Sequence, residues 1–369
     1  MNKPIREQRS LKNIIPYVPG KPIEEVMREY GIKDVIKLAS NENPLGPSPL
    51  AIAAIEKVLS KLNLYPDGKS HHLRQALANH LGVEPEQIIV GNGTDGIIAH
   101  ICLAYLDEDN EVIVSRSSFP MYDIYTHVMR ARLIKTPSKD YGLDLEAMAN
   151  AISEKTKLVF VCNPNNPTGT IVTKAEVETF MAKVPANVLV VFDEAYYKFV
   201  ASDKYPESIE YIRQGQNNVM ILRTFSKIYG LAGIRLGYGI ATPETLAPLY
   251  KIKEPFSVNL LAQAAGVAAL EDEAFLQTTV EANHNGQLYL YRHFDRLGLR
   301  YVESHTNFVL VEIGPHAQAV QKALLEKGVI VRLCTGYDLP KCLRVTVGDE
   351  MQNTRFIQSL EETLKELRS

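Results

Sequence analysis

A lysine beside short hydroxyl residues, at the end of an apolar run, is the first place where this chain could do chemistry. Val219-Met220-Ile221-Leu222 reads as a buried strand, and Arg223-Thr224-Phe225-Ser226-Lys227 follows at once. A partly desolvated ammonium, or one close to another cation, has a lowered pKa, and its neutral form can attack a carbonyl. Arg223 and Arg235 supply cations nearby in sequence, and Gly230, Gly233, Gly237 and Gly239 let backbone approach a ligand. A lone lysine at a strand end is most simply solvated; its company decides otherwise. Asp193 ends the apolar run 188–192, where a carboxylate needs a cationic partner unless it only caps a helix. Tyr196 lies three residues on and can face the same way. Asn163-Pro164-Asn165-Asn166-Pro167-Thr168-Gly169 presents amide donors and acceptors from a backbone stiffened by proline, more than an ordinary turn requires.

Two further stretches complete the set. Gly91-Asn92-Gly93-Thr94-Asp95-Gly96 sits between a strand and a helix and matches the nominal dinucleotide fingerprint. It reads best as a phosphate cradle, built from backbone N–H groups at a helix N-terminus with the Thr94 hydroxyl added. Phe119 precedes a proline after a strand and serves either as core or as a flat cover for a ring. A lysine nucleophile, a strand-end carboxylate, a phosphate loop, an Asn/Tyr pair and an aromatic face are what a phosphorylated pyridine aldehyde requires.

Strands must deliver these residues. Gln87-Ile88-Ile89-Val90, Glu111-Val112-Ile113-Val114, Leu158-Val159-Phe160-Val161-Cys162 and the runs at 188–192 and 219–222 alternate with helical patterns. Near-continuous apolar strands are covered on both faces, so a mostly parallel sheet is expected, with ligand at the carboxyl edge. Ser70 is expected to cap a helix through His80, and Thr173 with Glu176 forms a capping box. Beyond Pro255-Phe256 the pattern turns helical from 259 to about 297. Three short strands follow at 307–313, 329–332 and 343–347, giving a smaller α/β unit that also takes in the N-terminal segment. Residues 1–20 look like an arm, whose apolar members at 14–18 need a surface to pack on, such as a partner subunit.

The totals set limits. A chain of 369 residues is too long for one core, so two units are expected. A net charge of −3 gives no reason to expect nucleic acid or an anionic membrane as partner, and no apolar run reaches a membrane span. The polar start, Met1-Asn2-Lys3-Pro4, lacks the apolar core of a signal peptide. Cys102, Cys162, Cys334 and Cys342 form no CxxC pair, and neither they nor the histidines show metal spacing. Free thiols in a cytoplasmic protein without a metal are the expectation.

With these residues in hand, the sequence resembles fold-type I aminotransferases that use pyridoxal phosphate, and within them the histidinol-phosphate aminotransferase family. Ser40-Asn41-Glu42-Asn43-Pro44-Leu45-Gly46, Tyr65-Pro66-Asp67-Gly68, the loop 163–169, Asp193-Glu194-Ala195-Tyr196 and Thr224-Phe225-Ser226-Lys227, with the run 230–238, carry the likeness. The resemblance implies an α/β fold: a large unit with a mostly parallel seven-stranded sheet sandwiched by helices, plus a smaller α/β unit. It divides the chain into an arm and helix at 1–30, a large unit at 31–255 and a small one at 256–369. It implies that Lys227 holds the cofactor covalently and moves the substrate proton, and that Asp193 keeps the pyridine nitrogen protonated. Asn166 and Tyr196 would bond the phenolic oxygen, and Phe119 would stack on the ring. Gly93, Thr94 and Asp95, with Thr224, Ser226 and Arg235, would hold the phosphate, and Tyr65 would reach it from the neighbouring subunit of a homodimer. Arg344 would clamp the carboxylate of glutamate or 2-oxoglutarate. Arg332, Tyr17 and Arg344 would hold the phosphate of histidinol phosphate, with Asn43 also at the substrate.

Three positions depart from the usual pattern: Gly96 replaces an acidic residue, Phe256-Ser257 replaces Tyr-Asn, and Ile228-Tyr229 follows the lysine. The last two are expected to border the substrate pocket, which leaves aromatic amino acids as alternative donors. A nicotinamide-dependent oxidoreductase built on residues 91–96 would leave Lys227 and the Asn-Pro loop unexplained. A non-enzymatic binding module is opposed by the intact Lys227, Asp193 and Arg235.

Overall fold

The structure, a computed structural model, describes residues 5–367; Met1-Asn2-Lys3-Pro4 of the expected arm and the last two residues of the chain lie outside them. In chain order its strands are β1 (Ile36–Leu38), β2 (Ile88–Asn92), β3 (Glu111–Ser115), β4 (Arg132–Thr136), β5 (Ser138–Lys139), β6 (Gly142–Leu143) and β7 (Thr156–Cys162). They continue as β8 (Leu189–Asp193), β9 (Val219–Thr224), β10 (Leu236–Ala241), β11 (Tyr301–Val302), β12 (Phe308–Glu312), β13 (Val329–Leu333) and β14 (Cys342–Thr346). Seven of them form one sheet in the order β2-β10-β9-β8-β7-β3-β4. Every neighbouring pair is parallel except the two that β10 makes with β2 and β9.

The continuous apolar runs explain this sheet. Successive side chains of a strand point to opposite faces. Val159 and Val161 of β7 join one core with the helices His71–Leu81, Lys174–Met181 and Leu260–Leu270. Leu158 and Phe160 join the other with the helices Gly93–Tyr105 and Pro243–Ile252. Both faces are covered, so no polar alternation is visible in the sequence. Two strands of the sheet differ from expectation: β4 lies at the edge, where charged residues hide its type, and β10 runs through glycines expected only to let backbone approach a ligand. Gly237 does permit close approach, but of backbone: a Cβ there would lie 2.5 Å from Thr94 N and 2.7 Å from the Gly93 carbonyl carbon. It lets the start of the Gly93–Tyr105 helix sit directly on the sheet.

A five-stranded sheet, β1-β13-β14-β12-β11, forms the second layer. The expected strands at 307–313, 329–332 and 343–347 are β12, β13 and β14. Ile36 to Leu38, included at sequence level in the large unit, pair in parallel with Val329 to Val331, so this strand is carried by the small sheet. From β1 the chain crosses to the Pro49–Val58 helix through a tethered segment. Asn41 N donates to Thr346 Oγ1 at 2.9 Å, Asn307 Nδ2 donates to Asn41 O at 2.9 Å, and Ser48 Oγ donates to Asp272 Oδ2 at 2.5 Å. Asp272 also caps the long helix Glu273–Leu297, which Gly298 ends in the left-handed conformation.

Ser70 does not cap its helix as expected. Its own φ is +48°, and the Asp67 carboxylate instead accepts from Lys69 N and His71 N, which holds that carboxyl below its ordinary range. Among the described residues no helix is long and apolar enough to cross a membrane.

Candidate active site

The carboxyl ends of β7, β8 and β9 open on a cavity of about 290 Å³. Asp193 ends β8, Thr224 ends β9 with Ser226 and Lys227 just beyond, and Asn166 stands on the loop after β7. Lys227 Nζ donates to the carbonyl of Ser40 at 3.1 Å and lies 5.9 Å from the Tyr196 ring centre. Burial, and then the Arg344 guanidinium, bring its pKa down to about 8 against the pull of Glu42 and Asp95. A neutral amine is therefore accessible near neutral pH.

Asp193 is buried, and among the described residues it forms no ion pair. Burial pushes its carboxyl up to about 6, although Tyr122 Oη donates to Oδ2 at 2.6 Å and Ala195 N to Oδ1 at 3.2 Å. A buried carboxylate that lines the cavity and forms no ion pair suits a protonated ring nitrogen. Tyr196 Oη accepts from Asn41 Nδ2 at 2.8 Å; burial raises its phenol strongly, with Arg344 and Asn41 pulling the other way.

Arg344, on β14, lines the same cavity. Its guanidinium donates to Asn166 Oδ1, to Ala39 O at 2.7 Å and to Tyr337 Oη at 3.3 Å, and lies over the Phe308 ring at 5.2 Å. Arg332 stands opposite Arg344 in the β13–β14 register, over the Tyr17 ring at 5.0 Å. Among the described residues the Nε atoms of both arginines are buried without a hydrogen-bond partner. Two unpaired donors on adjacent cations suit an anion.

At the far end the Gly93–Tyr105 helix starts without a side-chain cap, with Thr94 and Asp95 in its first turn. Gly93 has φ +69° and donates to Arg235 O at 2.8 Å; a Cβ on it would lie 2.6 Å from Arg235 Nη2. Arg235 meets Asp95 at 3.4 Å, and Thr224 Oγ1 accepts from Ser226 N at 3.0 Å.

The structure thus brings Lys227, Asp193, Tyr196, Asn166, Phe119, Thr94, Asp95, Thr224, Ser226, Arg235, Tyr17 and Arg344 to one cavity. Gly93 stands just behind it. Arg332 lines an adjoining cleft of about 840 Å³ under the arm. Asn43 is not brought in: its amide donates to Ile228 O and Thr279 Oγ1, and its Oδ1 accepts from Leu45 N. Tyr65 is 82% exposed and stacks on Phe256 at 4.6 Å, away from this chain's cavity. Ile228 and Tyr229, expected near substrate, are instead core residues at 3% and 1% exposure, because the chain turns inward after Lys227.

The family described as aminotransferase class I and II matches residues 33–360. A histidinol-phosphate aminotransferase of Moorella thermoacetica is 52% identical over 357 residues, covering 97% of this chain and 92% of that protein. The chain belongs to the histidinol-phosphate aminotransferase family. A second member, from a Geobacillus species, is 46% identical over 96% of this chain and 97% of its own. The crystal structure of histidinol-phosphate aminotransferase from Sinorhizobium meliloti in complex with pyridoxal-5'-phosphate is similar with a TM-score of 0.91 and 30% identity, covering 98% of each chain. The expected fold-type I architecture, with its mostly parallel seven-stranded sheet and smaller α/β unit, is the one observed.

Several residues in or behind the cavity of this aminotransferase carry little mark of their place in the sequence. Ser40, Asn41 and Glu42 stood in a loop noted only for its turn formers and its likeness. Tyr122, three residues after Phe119, repeats the spacing of Tyr196 after Asp193, a signal that could have been used. Nothing in sequence marks Tyr337 as the partner of Arg344.

Proposed function

We propose that this chain moves the amino group of histidinol phosphate to 2-oxoglutarate, giving imidazole-acetol phosphate and glutamate in histidine biosynthesis, with pyridoxal 5'-phosphate attached through Lys227. The observation that carries this reading is that one cavity holds a buried lysine, at a pKa of about 8, and a buried carboxylate that forms no ion pair. When bound, the cofactor supplies an electron sink for the pair left as the substrate's α-proton departs. Lys227, once its amine is free, would take that proton from the substrate α-carbon and return it two atoms away, at the former aldehyde carbon of the cofactor. Asp193, as carboxylate, holds the ring nitrogen in its protonated form. Asn166 and Tyr196 are the hydrogen-bond partners for the phenolic oxygen, and Phe119 covers the ring. Backbone at Gly93, Thr94 and Asp95, with Thr224, Ser226 and Arg235, holds the phosphate, joined by Tyr65 of the second copy in a homodimer. Exposed Leu62, Leu64, Tyr65 and Phe256 support such a dimer. Arg344 takes the carboxylate of the keto acid; with Arg332 and Tyr17, which line the adjoining cleft, it takes the phosphate of histidinol phosphate.

The test is a half-reaction without keto acid, followed through the cofactor's visible absorbance. Histidinol phosphate should consume the band at low concentration and phenylalanine much less readily. The reverse preference would make this an aromatic-amino-acid aminotransferase. No band at all after adding pyridoxal phosphate would remove the cofactor assignment.

A further inference from the structure

We propose that Tyr122 is a positioning residue for the reaction, its hydroxyl keeping Asp193 ionised and aimed into the cavity. The inference rests on the role of Asp193 proposed above. Tyr122 Oη donates to Oδ2 at 2.6 Å and Ala195 N donates to Oδ1 at 3.2 Å. Each carboxylate oxygen therefore carries one donor and keeps a lone pair for whatever enters the cavity.

The hydroxyl is held in place by two rings. Tyr122, wholly buried on the helix Met121–Val128, stacks on Phe160 at 4.4 Å and 7°, and meets Phe119 edge-on at 5.6 Å. Phe119 lines the cavity, so one aromatic residue faces the ligand while the next ring behind it steadies the carboxylate. Burial drives the Tyr122 phenol far above its ordinary range, so it stays a donor at any working pH.

Asp193 needs that donor. Burial favours the neutral acid, and a hydrogen bond given to the carboxylate opposes it. The other titratable groups around it give no such help. The Cys162 thiol is pushed up to about 12 by burial and stays neutral. Glu194 is committed to Arg223 at 2.8 Å, and Asp95 to Arg235. Both are anions, and they favour the protonated form of Asp193. Without the hydroxyl, Asp193 loses the stronger of its two donors and the contact that sets its side-chain rotation.

A residue that only packs would behave differently, because phenylalanine preserves both ring contacts. The experiment uses four holoenzymes: wild type, Tyr122→Phe, Asp193→Asn and the double variant. Single-turnover rates with histidinol phosphate are measured in each. A hydrogen bond to a charged acceptor is worth a factor of about ten to a hundred, so Tyr122→Phe should slow the wild type by that much. In the Asp193→Asn background the same change should alter the rate less than about twofold. An equal factor in both backgrounds, or a wild-type rate for Tyr122→Phe alone, overturns the proposal while Asp193 keeps its role. An unimpaired Asp193→Asn enzyme overturns the role of Asp193 and this proposal with it.

Discussion

Replacing Arg344 with methionine removes a buried charge while keeping a long apolar stem. The guanidinium supplies donors to Asn166, Ala39 and Tyr337, lines the cavity, and has a buried Nε without a hydrogen-bond partner. Losing one partner of a desolvated charge pair costs about 2–5 kcal/mol in binding, so kcat/KM for glutamate should fall by about 30-fold to several thousand-fold. Stability should change less. Asn166 Oδ1 and Ala39 O lose a donor, at about 1–3 kcal/mol each, while relief of the buried charge offsets part of that. A second readout follows from Lys227, whose pKa is lowered by burial first and by Arg344 next. Without Arg344 it moves up from about 8, so less of the amine is neutral at pH 8. Labelling of Lys227 in cofactor-free protein by an amine-specific reagent should slow, as read by peptide mass spectrometry. Glutamate kinetics within threefold of wild type, together with unchanged labelling, would refute both the clamp and the electrostatic coupling.

Lys227→Ala should leave no transamination above background, while the protein still folds; retained turnover in the half-reaction assay would remove the lysine from the chemistry. Asp193 gives a pH signature in cofactor-free protein. Its folded pKa of about 6 lies above the ordinary 3.8, so its stabilising contribution is complete below about 4 and is lost as pH rises through 6, about 3 kcal/mol in all. Urea unfolding from pH 4 to 7 should show wild type losing that much relative to Asp193→Asn, and parallel curves would contradict it. Gly237→Ala should place a methyl 2.5 Å from Thr94 N, displace the helix start and weaken pyridoxal phosphate binding by about tenfold, as overpacking costs about 1–3 kcal/mol. An unchanged fluorescence titration would show that the helix can yield without consequence.

Much of the large sheet was readable because parallel strands covered on both faces are written as unbroken apolar runs, and the chemistry sits directly at their ends. Asp193 and Lys227 were legible for that reason. Long-range partnerships were not. The pairing of Arg344 with Asn166, and of Asn41 with Tyr196, joins segments far apart in sequence, and each residue alone looks like an ordinary polar side chain. Asn43 shows the converse error, a residue in a suggestive loop whose amide fastens Ile228 instead of facing the cavity. Gly237 and Gly239 were legible as sites of close approach but not as members of a central strand, since glycine contributes no apolar period. Ser70 was misjudged because local spacing suggested a cap while Asp67, three residues earlier, reaches the same N–H groups.

The crossing from β1 into the cavity has a consequence for the order in which a ribosome can finish this enzyme. All seven strands of the large sheet have been made by Ala241, and Lys227 and Asp193 with them. Ile36 to Leu38, among the first residues to emerge, must wait for Val329 to Val331 before they have a neighbour, and Asn41 waits longer still for Thr346. The Ser40 carbonyl that meets Lys227 therefore settles only when β13 and β14 arrive, and Arg344 arrives with them. A nascent chain acquires its amine and its carboxylate well before its acid clamp. Such late pairing of distant segments is slow. In that interval a chaperone, or the cofactor itself, would meet an amine-bearing half-site that cannot yet hold its acid substrate.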